Sequence, residues 1–161
     1  MTNGQMGAIE ISSWSNVLPA KTHIESPDYS SINDLVTANK LTISRGAGKS
    51  FGDASYITNG LTISSRKLNR ILDFDQQLGT ITCESGVRMI DLHLHLKQSE
   101  WSFPIYVGSR WVTIGGATAS DIHGKNVETF GSFGHHVLSI TLLIANGQEI
   151  ECSRDQQSDL F

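Results

Sequence analysis

The sequence predicts an α+β chain: a small parallel β-α-β sheet, then a part of mixed or antiparallel short strands. Three observations predict it. Residues 21–44 run extended, helical and extended within about the length a β-α-β unit needs. Residues 61–84 hold three short runs separated by turn residues. Asn146-Gly147, set between apolar runs, is the strongest hairpin signal in the chain.

The elements follow in order. Residues 1–16 are polar and weakly patterned, a tail or an early extended segment. Lys21 to Ser26 reads as a strand, interrupted by Pro27-Asp28. Ile32, Leu35, Val36 and Ala38 keep helical spacing, with Asp28 or Ser30 as N-cap. Leu41 to Ser44 is the second strand. Leu61–Ser64, Ile71–Asp75 and Thr80–Glu84 open the part of different character, and Gln77-Leu-Gly79 is a turn. Val87 to Gln98 is ambiguous: Leu92, Leu94 and Leu96 alternate with His93 and His95 as in a strand, whereas Val87, Ile90 and Leu94 keep helical spacing. Thr113 caps a helix running to Asp121. Val137–Ala145 and Gln148–Cys152 are the two arms of the final hairpin. Ser158 to Phe161 reads as a helix cap and its first turn; one turn is not stable alone, so the end is either disordered or the start of something longer.

The chain has 161 residues, a net charge of −4 and 39% apolar residues, so it is long and apolar enough for a real core. The mildly acidic balance supplies no basic footprint for nucleic acid. Cys83 and Cys152 make neither a disulfide scaffold nor a zinc site and read as small buried apolar residues. The start lacks a basic region and a hydrophobic stretch, so no signal peptide is expected. Thr129 to Gln148 is chargeless but holds three glycines and two histidines, which argues against a membrane span. A cytoplasmic chain is expected, with membrane association open only for a full-length protein.

Of 15 glycines, 12 lie between Gly46 and Gly134, and the candidate chemistry lies there too. In Arg45-Gly46-Ala47-Gly48-Lys49-Ser50-Phe51-Gly52-Asp53, glycines would let backbone N–H groups converge on a phosphate. The triphosphatase phosphate loop would need glycine at Ile43, and the dinucleotide fingerprint would need it at Phe51; both patterns fail. What remains is a glycine-rich anion loop of neither type, or equally a plain tight turn. In Val112-Thr113-Ile114-Gly115-Gly116 a cap precedes two glycines at a helix start, which suits an anion or close helix packing. Two such sites would suit a pyrophosphate, one loop per side. Asp121-Ile-His123-Gly124-Lys125-Asn126 collects donors able to meet a developing negative charge, and His123 is a natural proton-transfer group. Gly131-Ser-Phe-Gly134 with His135 and His136 reads as a turn. The His93/His95 pair has no third ligand at metal spacing, so no metal is expected. Trp14, Trp101 and Trp111 are spread out and read as packing or lid aromatics.

In this order, with Phe74-Asp75, Ser85-Gly-Val87 and Val107-Gly108-Ser109 between them, these segments resemble the vanillyl-alcohol-oxidase type of FAD-linked oxidoreductases over about residues 14–161. Within that type the likeness is closest to oxidases of polyprenyl-phospho-ribose and of sugar lactones. The resemblance implies a PCMH-type FAD-binding domain: a first lobe over 17–66, and a second over 67–161 that is incomplete, with the substrate domain absent. It implies that backbone from Arg45 to Ala54 and from Thr113 to Gly116 holds the FAD pyrophosphate. Gly108 would lie along the cofactor, and His123, Gly124, Lys125 and Asn126 would lie near the flavin ring. It makes Val87 to Gln98 a helix. It implies hydride transfer to flavin from a CH–OH carbon of a sugar-type small molecule, with His123 and Lys125 as the catalytic polar groups. Some members attach FAD covalently through a histidine in the first glycine loop; Lys49 stands there, so FAD is expected to be non-covalent. An aldonolactone oxidase using oxygen and a non-catalytic nucleotide-binding module are the alternatives.

Overall fold

The computed structural model describes residues 8–105 and 107–161, so the first seven residues of the expected tail lie outside it. Three sheets are formed among the described residues. The first has four strands in the order β1-β2-β4-β3, from Ile9–Ile11, Ala20–Glu25, Leu61–Ser64 and Thr42–Arg45. Within residues 1–16, Ile9–Ile11 is an edge strand, antiparallel to β2 with Ile9 opposite Thr22, so the extended alternative holds there.

β2 and β3 each pair in parallel with β4, His23 and Thr42 both standing opposite Leu61. The two strands of the expected β-α-β unit are thus not neighbours. The strand Leu61–Ser64, read as the opening of the next region, is the centre of the first sheet. All four of its residues are buried, as a strand flanked on both edges and covered on both faces requires. Thr62 and Thr22 are fully buried, and their hydroxyls satisfy each other at 2.9 Å.

The helix α1, Ile32–Ala38, crosses from β2 to β3. Its N-cap position is Ser31, not Asp28 or Ser30. Asp28 shapes the turn before it, its carboxylate accepting from the Ser31 amide at 3.1 Å and from both serine hydroxyls. The hydroxyls hold that carboxyl below its usual range.

β5, Ile71–Asp75, and β6, Thr80–Cys83, form an antiparallel hairpin. Its turn is closed by Asp75 Oδ1, which accepts from the Gln77 and Leu78 amides, and by Gly79 at φ 69°. The ambiguous segment is helical: α2 spans Met89–Leu96 and buries Met89, Leu92 and Leu96. Leu94, part of the spacing that suggested the helix, is 59% exposed. His93 and His95 are exposed, and on a helix two such positions point to different sides. Among the described residues no group of three or more His, Cys, Asp or Glu could hold a metal ion.

α3, Ile114–Ala119, and α4, Val127–Phe130, follow, then a 3₁₀ turn over Phe133–His136. Met89, Ala117 and Phe133 form a core under this region, with Val112, Ile114, Ile122 and Val137 packed against it. The last hairpin pairs β7, Ser139–Leu143, with β8, Glu149–Ser153. Its turn is not the two-residue type that Asn146-Gly147 suggested. Only Gly147 is left-handed, at φ 85°, which fits a type I turn closed by a glycine bulge. Cys152 is fully buried, Cys83 is half-buried, and both are free thiols. Burial pushes the Cys83 thiol up to about 11. Residues 158–160 form a turn, with the Phe161 and Leu160 amides both donating to the Gln157 carbonyl, as in a single helical turn. No helix among the described residues is long and apolar enough to cross a membrane.

Candidate functional site

The first glycine loop leaves the carboxyl end of β3, the edge of a parallel sheet at which ligands bind. Arg45 opens it but turns inward. Its guanidinium donates to Ser55 Oγ at 2.9 Å and to the Ser12 carbonyl at 3.1 Å, and lies 5.8 Å from the Tyr56 ring centroid. Gly48, at φ 66°, leaves room for it: a Cβ there would lie 2.5 Å from the guanidinium. Arg45 therefore shapes the loop from behind, and what it offers a ligand is backbone. Among the described residues, the amides of Ala47 to Gly52 have no acceptor within the protein. A Cβ on Gly52 would meet nothing within 4 Å. Phe51 is 73% exposed, and Asp53 and Ala54 are exposed beside it.

The second glycine segment meets the first directly. A Cβ on Gly46 would lie 2.2 Å from Thr113 Oγ1, so the two backbones approach as only glycine permits. Thr113 is buried and caps α3 as expected, accepting from the Gly116 amide at 3.3 Å. The expectation of open N–H groups at this helix start is corrected. Ile114 donates to the Val87 carbonyl at 2.7 Å and Gly115 to the Ser85 carbonyl at 2.8 Å. Ser85-Gly86-Val87 is thus a shelf that takes up the helix's first donors. Gly86 is pressed against the Ser65 and Leu68 carbonyls, and its amide donates to Leu68. Under the shelf, buried Glu84 accepts a two-point ion pair from Arg70 at 2.7 and 2.9 Å, which holds its carboxyl below the usual range. Gly108 faces open space.

The segment Asp121–Asn126 is fixed at both ends. Asp121, at φ 38°, accepts from the Gly134 amide at 2.7 Å; that bond, with the Ser132 hydroxyl, holds its carboxyl below its usual range. Asn126 donates to the Pro104 carbonyl at 2.7 Å. Between them His123 pairs backbone-to-backbone with Ser132, Gly124 is buried, and the His123 and Lys125 side chains face solvent. His135 and His136 bond Ser132 and the Phe130 carbonyl respectively, a structural use.

Two features had no signal in the residue pattern: the Arg70–Glu84 pair, and the segment Ser12–Leu18, which lies against the first loop with the Trp14 amide donating to the Ser50 carbonyl at 2.9 Å. Each is a long-range pairing of ordinary residues.

A sheet-edge loop with open amides is thus joined at a glycine contact to a second glycine segment within an α+β domain. The chain belongs to the FAD binding domain family, whose model matches residues 28–153, and FAD is the cofactor that membership assigns. It is 43% identical over 121 residues to decaprenylphosphoryl-β-D-ribose oxidase of Mycolicibacterium smegmatis, covering 74% of this chain and 26% of that protein. It is 31% identical over 116 residues to L-gulonolactone oxidase of Mus musculus, covering 72% and 26%. The chain therefore spans about a quarter of these relatives. Its fold is that of the PCMH-type domain. A solved alkyldihydroxyacetonephosphate synthase superposes on 88% of this chain and 28% of its own, with TM-score 0.73 and 20% identity. The residues present fit FAD: the loop's amides suit its diphosphate, and the open faces of Gly52 and Gly108 leave room for close approach.

Proposed function

We propose that this chain is the cofactor-holding part of a flavin-dependent oxidoreductase that oxidises a CH–OH carbon of a sugar or polyprenyl-phospho-sugar, with FAD bound non-covalently. The observation that carries the reading is the contact of Gly46 with Thr113 beside a loop of open amides. Likeness to a ribose-lipid oxidase and a lactone oxidase supports the substrate class. Lys49 in place of the histidine that some members use supports the non-covalent link. We divide the chain into lobes at 17–66 and 67–161, with the diphosphate on the open amides of Arg45–Ala54, where that loop meets Thr113–Gly116, and the flavin ring near His123–Asn126. A cytoplasmic location goes with this reading.

Bound FAD would supply the acceptor for two electrons from a substrate C–H bond. The chain's own part is to place polar groups at that bond. His123 would hold or take the hydroxyl proton, and Lys125 would offset negative charge on that oxygen. Both side chains face outward from a segment anchored by Asp121 and Asn126, so their backbone is positioned while their tips stay accessible. Likeness to L-gulonolactone oxidase favours one further reading, an aldonolactone oxidase passing electrons to oxygen.

The test is flavin uptake. The full-length protein should be yellow or become so with added FAD, and acid precipitation should release all the flavin. A full-length protein that is colourless and refuses FAD overturns the reading. In the full-length protein, a sugar-type alcohol should bleach the flavin, and His123→Ala should slow bleaching more than it loosens FAD. Equal loss of both removes the chemical role. Hydrogen peroxide release on turnover selects the oxygen-using reading, and a flavin that no such alcohol bleaches leaves a binding module.

A further inference from the structure

The segment Ser12–Leu18 precedes the family-matched residues, yet it is tied to the first glycine loop and its flank at four points. The Ser12 carbonyl accepts from Arg45 at 3.1 Å. The Trp14 amide donates to the Ser50 carbonyl at 2.9 Å. The Leu18 carbonyl accepts from the Tyr56 hydroxyl. The Lys49 ammonium sits 3.4 Å from the centroid of the Trp14 ring. The segment also braces itself, with Ser13 Oγ donating to the Val17 carbonyl at 2.9 Å and Ser12 Oγ to Asn16 Oδ1 at 2.8 Å. Asn16 at φ 55° and Leu18 at φ 58° are left-handed, a conformation that Cβ disfavours and that a leucine adopts only where surrounding contacts hold it.

This strap separates the roles of the loop's two cations. Arg45 is committed inward to Ser55 and Ser12. Lys49 makes no ion pair among the described residues, and its charge rests on a ring face. A ring face attracts the cation without consuming its charge, and it orders a long, flexible side chain before any ligand arrives.

We propose that Trp14 is a positioning residue for FAD: the strap stations the Lys49 ammonium beside the open amides, ready for the diphosphate. This rests on the cofactor reading above. The experiment is a double-mutant cycle of FAD titrations on the full chain: wild type, Lys49→Gln, Trp14→Leu and the double variant. Lys49→Gln and Trp14→Leu should each weaken FAD binding about fivefold, the double variant no more than Lys49→Gln alone, and Trp14→Phe only about twofold. A purely structural strap would not show that non-additivity or the aromatic rescue. Unchanged FAD affinity in Trp14→Leu, or its full effect added to that of Lys49→Gln, overturns the positioning role while leaving the cofactor reading intact. A wild-type chain that takes no FAD overturns both. Should Trp14→Leu not fold, Trp14→Phe carries the same cycle: it must weaken binding in the Lys49 chain and not in the Lys49→Gln chain.

Discussion

The two glycine segments look alike in the sequence and are used in opposite ways. In Arg45–Asp53 the amides are left open, and the support comes from behind, through Arg45 and the strap. In Thr113–Gly116 the amides are taken by the Ser85–Val87 shelf and by the threonine itself, so the glycines serve close packing. A glycine cluster after a strand and one after a helix cap both permit tight backbone approach. Which of them keeps donors for a ligand is decided by what packs underneath, and for the second segment that is a carbonyl shelf some thirty residues away in sequence.

The largest way to sharpen this comparison is Gly86→Ala. The added methyl would lie 1.8 Å from the Ser65 carbonyl oxygen and 2.6 Å from that of Leu68, both backbone atoms unable to swing aside. A loss of roughly 3 kcal/mol is expected in urea unfolding. Glu84→Gln attacks the same shelf through charge and, because the Arg70 partner is 64% exposed and screened by solvent, should cost about 1 kcal/mol. Since the Arg70 partner lowers the Glu84 pKa in the folded chain, its stabilisation is complete above the ordinary glutamate pKa of about 4.3 and fades as pH falls through the lower folded value. Wild type should therefore lose stability over that acid range, and the difference from Glu84→Gln should shrink there. A constant difference across the range would break the assignment.

Gly52→Ala probes the other segment. Its φ of 66° costs a side chain about 1–2 kcal/mol, yet nothing in the fold obstructs the methyl. If the loop's open amides take up FAD as proposed, FAD uptake should fall out of proportion to stability, since the methyl would stand on the loop's open face. Stability loss with unchanged uptake would make this a plain turn. The smallest effect is at the junction: Thr113→Ala should cost about 1 kcal/mol as a lost cap. It should also soften the penalty of Gly46→Ala, because the oxygen 2.2 Å from the new methyl is gone. Additive penalties would deny the contact between the segments.

Much of this was legible in the residues. Runs of β-branched and apolar residues marked every strand but Ile9–Ile11, and Thr113 announced its own helix. The ordered succession from Arg45 to Gly134 carried the family and the cofactor. What stayed hidden depends on partners far along the chain. Leu61–Ser64 sits between β2 and β3 because its two faces are both covered, which four residues cannot declare. The amides of Ile114 and Gly115 are consumed by Val87 and Ser85, an outcome no local pattern encodes. The left-handed Leu18 follows from tertiary ties, not from leucine's own preference.

The inserted position of β4 also has a bearing on how the molecule comes into being. β2 and β3 pair with it and not with each other, so neither acquires its parallel neighbour until Leu61–Ser64 has been synthesised. Up to that moment a nascent chain has at most the β1–β2 ribbon, and a lone two-stranded ribbon is marginal in water. The first glycine loop, hung from β3, thus takes shape only after residues beyond it have come in between β2 and β3. That closing order makes the first sheet a late, non-local assembly event, of the kind that slows folding and exposes unpaired edges while it waits.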